Sequence, residues 1–165
     1  MALEIERKFL LAGDFKAEAF RAIPMKQGYL NSDPLRTVRV RVAGEHGFIT
    51  VKGKGSSVTH FEWEKEIPVS EALELLECAE PGVIDKIRYL VAAGDGVHTW
   101  EVDEFHGDNE GLVVAEIELS SEDEAFPRPA WLGAEVSDDP RYYNSYLSRN
   151  PYRKWPGVSP VEAGG

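Results

Sequence analysis

Charge returns at every second position along most of this chain, and within each run the sign repeats. Glu4-Ile-Glu6, Arg39-Val-Arg41, Lys52-Gly-Lys54, Glu62-Trp-Glu64, Lys86-Ile-Arg88, Glu101-Val-Asp103 and Glu116-Ile-Glu118 follow one another, with Lys8 extending the first run. The positions between carry Ile5, Phe9, Val38, Val40, Val42, Ile49, Val51, Phe61, Trp63, Ile87, Tyr89, Trp100, Val102 and Ile117. A period of two is the mark of a strand with one polar and one apolar face. The pattern, with the segments that belong beside it, predicts strands over 3–9, 26–31, 36–43, 47–54, 59–67, 84–91, 97–104 and 111–119. Turn residues at 43–47, 53–57, 92–96 and 106–111 join many of them as antiparallel hairpins. Helices are predicted from N-cap Asp14 to Ile23, from N-cap Ser70 to Ala79, and after N-cap Asp139 with Pro140 at the first helical position.

Alternate residues on a strand stand roughly 7 Å apart on one face. A solvent-facing sheet gains nothing from pairs that repel at that spacing, since mixed signs serve solubility as well. Basic pairs suit an extended polyanion, and carboxylate pairs suit a hard divalent cation. A phosphate chain carrying Mg²⁺ or Mn²⁺ meets both demands. Eight strands with a polar face can close into a barrel with a charged lumen, leaving the apolar face outward beneath the helices. The expected fold class is therefore α+β, predominantly antiparallel β: an eight-stranded closed tunnel barrel with helices on its outside.

With 165 residues, one domain over 1–155 is expected, followed by a flexible tail at 156–165. The net charge of −11 argues against long nucleic acids and anionic membranes as partners. The inward-facing charges nearly balance, so the excess acidity lies outside, and a metal becomes a condition for binding a polyanion. Hydrophobic residues make up 42%, which excludes a disordered acidic chain. Cys78, the single cysteine, is read as an inert thiol packed in a helix; no internal disulfide can form. Charges are spread through the first eight residues, and no apolar run reaches the roughly 20 residues of a membrane span. A cytoplasmic location is expected.

His46, His60, His98 and His106 show no ligand spacing and are read as surface or hydrogen-bonding residues. Gly53-Lys54-Gly55-Ser56-Ser57 lacks the leading glycine of a P-loop and is read as a hairpin turn. Trp63 and Trp100 are expected beneath helices, Tyr142, Tyr143 and Tyr146 in the core, and Lys154 in solvent.

Glu4-Ile-Glu6-Arg-Lys8 resembles the Glu-x-Glu-x-Lys signature of the CYTH superfamily, the triphosphate tunnel metalloenzymes. The later charge pairs follow in that family's order, so the resemblance covers residues 3–119. Tyr146-Leu147 and Asn150-Pro-Tyr152-Arg-Lys154-Trp155 resemble the C-terminal segment of its short bacterial members. The resemblance implies a tunnel that binds a triphosphate along its axis with one or two Mg²⁺ or Mn²⁺ ions. Lys8, Arg39, Arg41, Lys52, Lys54, Lys86 and Arg88 would be phosphate ligands, and Glu4, Glu6, Glu116 and Glu118 metal ligands. Glu62, Glu64 and Asp103 would hold a second metal or the attacking water and, with Lys86, make up the catalytic set. The implied activity is hydrolysis of a triphosphate, foremost inorganic tripolyphosphate to diphosphate and phosphate. A class IV-type adenylate cyclase, a thiamine or nucleoside triphosphatase and a non-catalytic polyphosphate binder are the alternatives. The implied partner is a small triphosphate; a homodimer is left open.

Overall fold

The computed structural model describes residues 3–158. Its strands are β1 (Leu3–Leu11), β2 (Ala19–Asn31), β3 (Arg36–Ala43), β4 (His46–Gly55), β5 (Thr59–Ile67), β6 (Ile84–Ala92), β7 (Thr99–Phe105), β8 (Val113–Glu118) and β9 (Leu132–Glu135). Two α-helices, α1 (Val69–Glu77) and α2 (Asn144–Arg149), follow β5 and β9. The sheet runs β5-β4-β3-β2-β6-β7-β8-β1 and closes where β1 pairs back to β5. Every pairing is antiparallel.

Closure divides the free edge of β1. Leu3–Ile5 pair with Thr59–Phe61, whereas Phe9 and Leu11 pair with Glu135 and Leu132 of β9. Between them, Glu6 N donates to Val58 O and Lys8 N donates to Ser137 Oγ. The registers bring the charged positions face to face: Lys8 opposes Glu116, Lys52 opposes Glu62 and Arg88 opposes Asp103. A one-residue slip in any strand would carry its charges to the apolar outer face, so the alternation itself defends the register.

The outer apolar face is covered in two ways. Phe9, Trp100, Val102, Ala115 and Ile117 are buried with Trp131, and Phe126 packs against them. Trp100 meets Phe9 and Trp131 edge-on, each at 5.6 Å between ring centroids. This cover is the chain after β8, not a helix. On the other side α1 lies on β3 and β4, and glycines allow the approach. A Cβ on Gly47 would stand 2.8 Å from Ala72 Cβ and 2.9 Å from Ile67 O. Gly47→Ala should therefore lower stability by about 1–3 kcal/mol through overpacking, read as a fall of several degrees in thermal midpoint.

One end of the barrel interior is apolar. Phe105 opposes Lys86 and Val114 opposes Asp103, so these side chains share the inward face. Phe105 and Val114 cluster with Ile84, Leu112 and Leu147 of α2, flanked by Tyr142, Tyr152 and Trp155. The C-terminal segment thus plugs this end.

Several expectations need correction. The helix expected over 14–23 is a 3-10 turn at Lys16–Glu18 followed by β2. Ala19–Gln27 supply the ladder that β6 requires, and Pro24 would break a helix there. The second helix starts two residues early, at Val69 with Pro68 as its N-cap, and ends at Glu77. The third is interrupted: Asp139 caps a 3-10 turn at Pro140–Tyr142, Tyr143 is extended, and α2 follows. β9 has no counterpart among the expected strands. Trp63, expected beneath a helix, is 47% exposed. Cys78 is exposed at the end of α1, not packed within it. The expected tail falls mostly outside the described residues, and Lys154 is exposed as expected.

His98 fastens the β6–β7 turn to the chain after β8. Its Nδ1 pairs with Asp95 at 2.5 Å and its Nε2 with Glu124. Hydrogen bonding to Asp95 and Glu124 raises the imidazole above its ordinary value. Hydrogen bonds from His98 hold both carboxyls below theirs. The imidazolium's contribution is full below about pH 6.5 and is lost as pH rises through the raised value; the carboxylates' is lost at acid pH. His98→Ala should lower the thermal midpoint clearly at pH 5.5 and much less at pH 9.

Candidate active site

A cavity of about 560 Å³ occupies the polar part of the barrel. Glu4, Glu6, Lys8, Arg39, Arg41, Lys52, Lys54, Glu62, Glu64, Arg88, Glu101, Glu116 and Glu118 all line it. Two sequence-predicted residues do not. Lys86 and Asp103 lie behind the wall at the plugged end, 0% and 1% exposed.

One wall is built of carboxylates with two ammonium groups between them. Lys8 Nζ stands 2.7 Å from Glu116 and 3.9 Å from Glu6. Lys52 Nζ stands 2.7 Å from Glu4 and 3.9 Å from both Glu6 and Glu62. Burial, reinforced by Glu116, pushes the Glu6 carboxyl up to about 8. Glu4 is raised by burial and by its hydrogen bond with Glu62, and Glu118 by burial and by Glu4 and Glu101. Burial opposes charge on Lys8 too, but Glu116 and Glu6 outweigh it and hold the ammonium above its usual value.

The opposite wall carries cations with few partners. Arg39 donates to Thr50 Oγ1 at 3.2 Å and lies 3.8 Å from Glu64. Arg41 donates from Nε to Gln27 Oε1 at 2.8 Å. Burial, with Arg39 and Arg88 nearby, lowers Arg41 to about 9. Among the described residues neither Arg41 nor Lys54 has a carboxylate within ion-pair distance. These groups are free to meet an anion.

Behind the cavity a saturated cluster anchors the wall. Arg88 grips Asp103 with Nε and Nη2 at 2.8 and 2.9 Å and reaches Glu101 with Nη1 at 2.8 Å. Lys86 Nζ donates to Asp103 at 2.7 Å. Burial would raise Asp103, but Arg88 and Lys86 hold it down at about 2. Burial lowers Lys86 to about 7 against the pull of Asp103.

Among the described residues no three His, Cys, Asp or Glu side chains converge into a ready-made metal cage. The donor chemistry nevertheless fits a hard cation. The wall offers only oxygen ligands, burial and neighbouring carboxyls raise Glu4, Glu6 and Glu118, and Glu62 Oε2 is buried without a hydrogen bond.

Sequence reasoning missed Gln27, Tyr29, Thr37, Thr50, His60, Ser137, Tyr143, Asn144 and Ser145, all but Gln27 lining the cavity. Thr37 and Thr50 simply extend the parity of Arg39 and Lys52, and Gln27 and Tyr29 oppose Arg41 and Arg39. That signal was available. Tyr143, expected in the core, stands under the Lys8 ammonium, 5.9 Å from ring centre to Nζ. It and Asn144 arrive by docking of the C-terminal segment, which no local pattern announces.

An antiparallel barrel closed around facing walls of carboxylates and guanidiniums defines a charged-tunnel protein. The chain belongs to the CYTH domain family, whose model matches residues 2–143. It is 48% identical over 157 residues to an inorganic triphosphatase of Acetivibrio thermocellus, covering 94% of this chain and 99% of that one. An inorganic triphosphatase of Nitrosomonas europaea is 38% identical over 149 residues, covering 88% and 96%. The crystal structure of an inorganic triphosphatase superposes with a TM-score of 0.64 at 36% identity, over 90% of this chain and 95% of the other. A conserved hypothetical protein from Pyrococcus furiosus shares the fold at 21% identity and a TM-score of 0.57, over 73% and 80%. Triphosphatases of the CYTH family typically depend on a metal. No helix among the described residues is long and apolar enough to cross a membrane.

Proposed function

We propose that this chain is an inorganic triphosphatase that hydrolyses tripolyphosphate to diphosphate and phosphate inside the tunnel. The observation that carries this reading is the 48% identity to an inorganic triphosphatase along nearly the whole of both chains. The facing walls agree with it. Phosphoryl transfer asks a protein mainly for positioning and charge stabilisation. Arg39, Arg41, Lys54 and Arg88 hold the phosphate oxygens from one side, and Lys8 and Lys52 from the carboxylate wall. Glu4, Glu6, Glu116 and Glu118 would hold Mg²⁺ or Mn²⁺, one ion or two, which supplies charge neutralisation and polarises a phosphate oxygen.

Glu62 and Glu64 orient the attacking water. Glu62 keeps an oxygen without a hydrogen bond, and Glu64 accepts from Thr50 Oγ1 at 2.9 Å while reaching toward Arg39. Asp103 is read as an anchor and not as a water-activating base, since Arg88 and Lys86 take its oxygens. Its role is to fix Arg88. Lys86 acts from behind the wall in the same way.

The −11 charge and the enclosed site favour a small substrate over long nucleic acid, and the lone cysteine suits a cytoplasmic location. The test offers tripolyphosphate, ATP, GTP and thiamine triphosphate, each with Mg²⁺, Mn²⁺ or chelator, and identifies products. Orthophosphate from tripolyphosphate in metal, and none in chelator, is expected. Cyclic nucleotide from ATP as the dominant product would contradict the reading.

A further inference from the structure

Arg41 is the half-buried tunnel cation whose placement is least explained by charge. Among the described residues its one hydrogen-bonding partner is Gln27, directly opposite on β2 and 0% exposed. A glutamine amide has two ends, and only its oxygen can accept from the guanidinium Nε–H. A flipped amide would set donor against donor and release Arg41. Something must fix the flip.

Asn144, the first residue of α2, does so. Its Oδ1 accepts from Gln27 Nε2 at 2.9 Å and from Lys86 Nζ at 3.1 Å. Lys86 also donates to Asp103 at 2.7 Å. The amine has hydrogens for both partners even after losing one proton. Lys86 therefore requires oxygen from Asn144, Asn144 oxygen requires the amino end of Gln27, and that leaves the Gln27 oxygen for Arg41. Each link has one allowed direction, set by a cationic donor at either end.

We propose that Asn144 and Gln27 are positioning residues, forming a directional hydrogen-bond relay through which the docked C-terminal segment aims Arg41 at the triphosphate. The proposal deepens the triphosphatase reading and rests on it for the identity of the anion. It gives α2 a part in substrate binding besides plugging the barrel: when Asn144 leaves its place, the Gln27 amide is free to turn and the terminal nitrogens of Arg41 lose their direction.

Two readouts test it. In the unliganded protein, hydrogen exchange at Arg41 Nε–H, followed by nitrogen-15 spectroscopy, should be slow. It should quicken about tenfold in Gln27→Ala and Asn144→Ala, and stay near wild type in Asn144→Asp, which keeps the accepting oxygen. In steady-state assays with tripolyphosphate, Asn144→Ala should raise KM about tenfold with a smaller change in kcat. The double variant with Arg41→Ala should match Arg41→Ala alone, because Asn144 acts through that residue. Unchanged Arg41 exchange in Asn144→Ala, or a double variant in which the two losses multiply, would overturn the relay. If the wild-type protein does not turn over tripolyphosphate, the functional reading fails, and the exchange experiment alone decides the relay.

Discussion

Glu6→Gln should make the metal-free protein more stable while removing most of its turnover. Glu6 sits between the Lys8 and Lys52 ammonium groups, yet burial and the neighbouring Glu116 raise its carboxyl to about 8. Below about pH 4.5 the group is protonated in folded and unfolded chains alike and has no effect. Between 4.5 and 8 the unfolded chain releases a proton that the folded chain keeps, so stability falls as pH rises. Above about 8 the full penalty is present, on the order of 2–5 kcal/mol from the size of the shift. A neutral amide escapes it, and Lys8 and Lys52 keep Glu116 and Glu4 as partners. The variant's gain in thermal midpoint should be near zero at pH 4.5 and largest above pH 8. A destabilised variant at pH 8.5 would mean that Glu6 is held by something other than the carboxylate wall described above.

Arg88→Ala and Arg39→Ala should part company although each removes one tunnel arginine. Without Arg88, the Asp103 carboxylate keeps only Lys86 in a site closed to water, and Glu101 loses its partner. Breaking a buried pair in this way typically costs about 3–5 kcal/mol. The thermal midpoint should fall by roughly ten degrees or more for a chain of this size. Arg39 leaves behind only a threonine hydroxyl and Glu64, whose side chain is 40% exposed. Its loss should change stability by about 1 kcal/mol or less while sharply reducing turnover. Denaturant melts of both variants separate the phosphate-facing arginine that also anchors the wall from the one that does not.

These contrasts show where sequence reading reached and where it stopped. Alternation fixes the face of every strand residue, because a side chain on a pleated strand has two directions to choose between. It gives no depth along the barrel. Lys86 and Arg88 share a face and a sign, but Lys86 opposes Phe105 near the apolar plug while Arg88 opens to the cavity. Asp103, opposite Val114, is buried for the same reason. The closing contact between β1 and β5 joins residues more than fifty positions apart, and the like-charge pairs were its one signature. The first helix failed because β6 needed a partner over its full length, a demand that no window around residues 14–23 contains. Asn144 and Tyr143 enter the site through packing of Leu147 and its neighbours, so their function is written in the plug and not beside them in the chain.

Phosphate release from tripolyphosphate with Mn²⁺, measured for the wild type, Glu6→Gln and Arg39→Ala side by side, bears most directly on a tunnel with a metal-holding wall and a phosphate-holding wall. The expected result is rapid release by the wild type, abolished by chelator, and a loss of about a hundredfold or more in each variant. Wild-type rates in both variants would contradict the account.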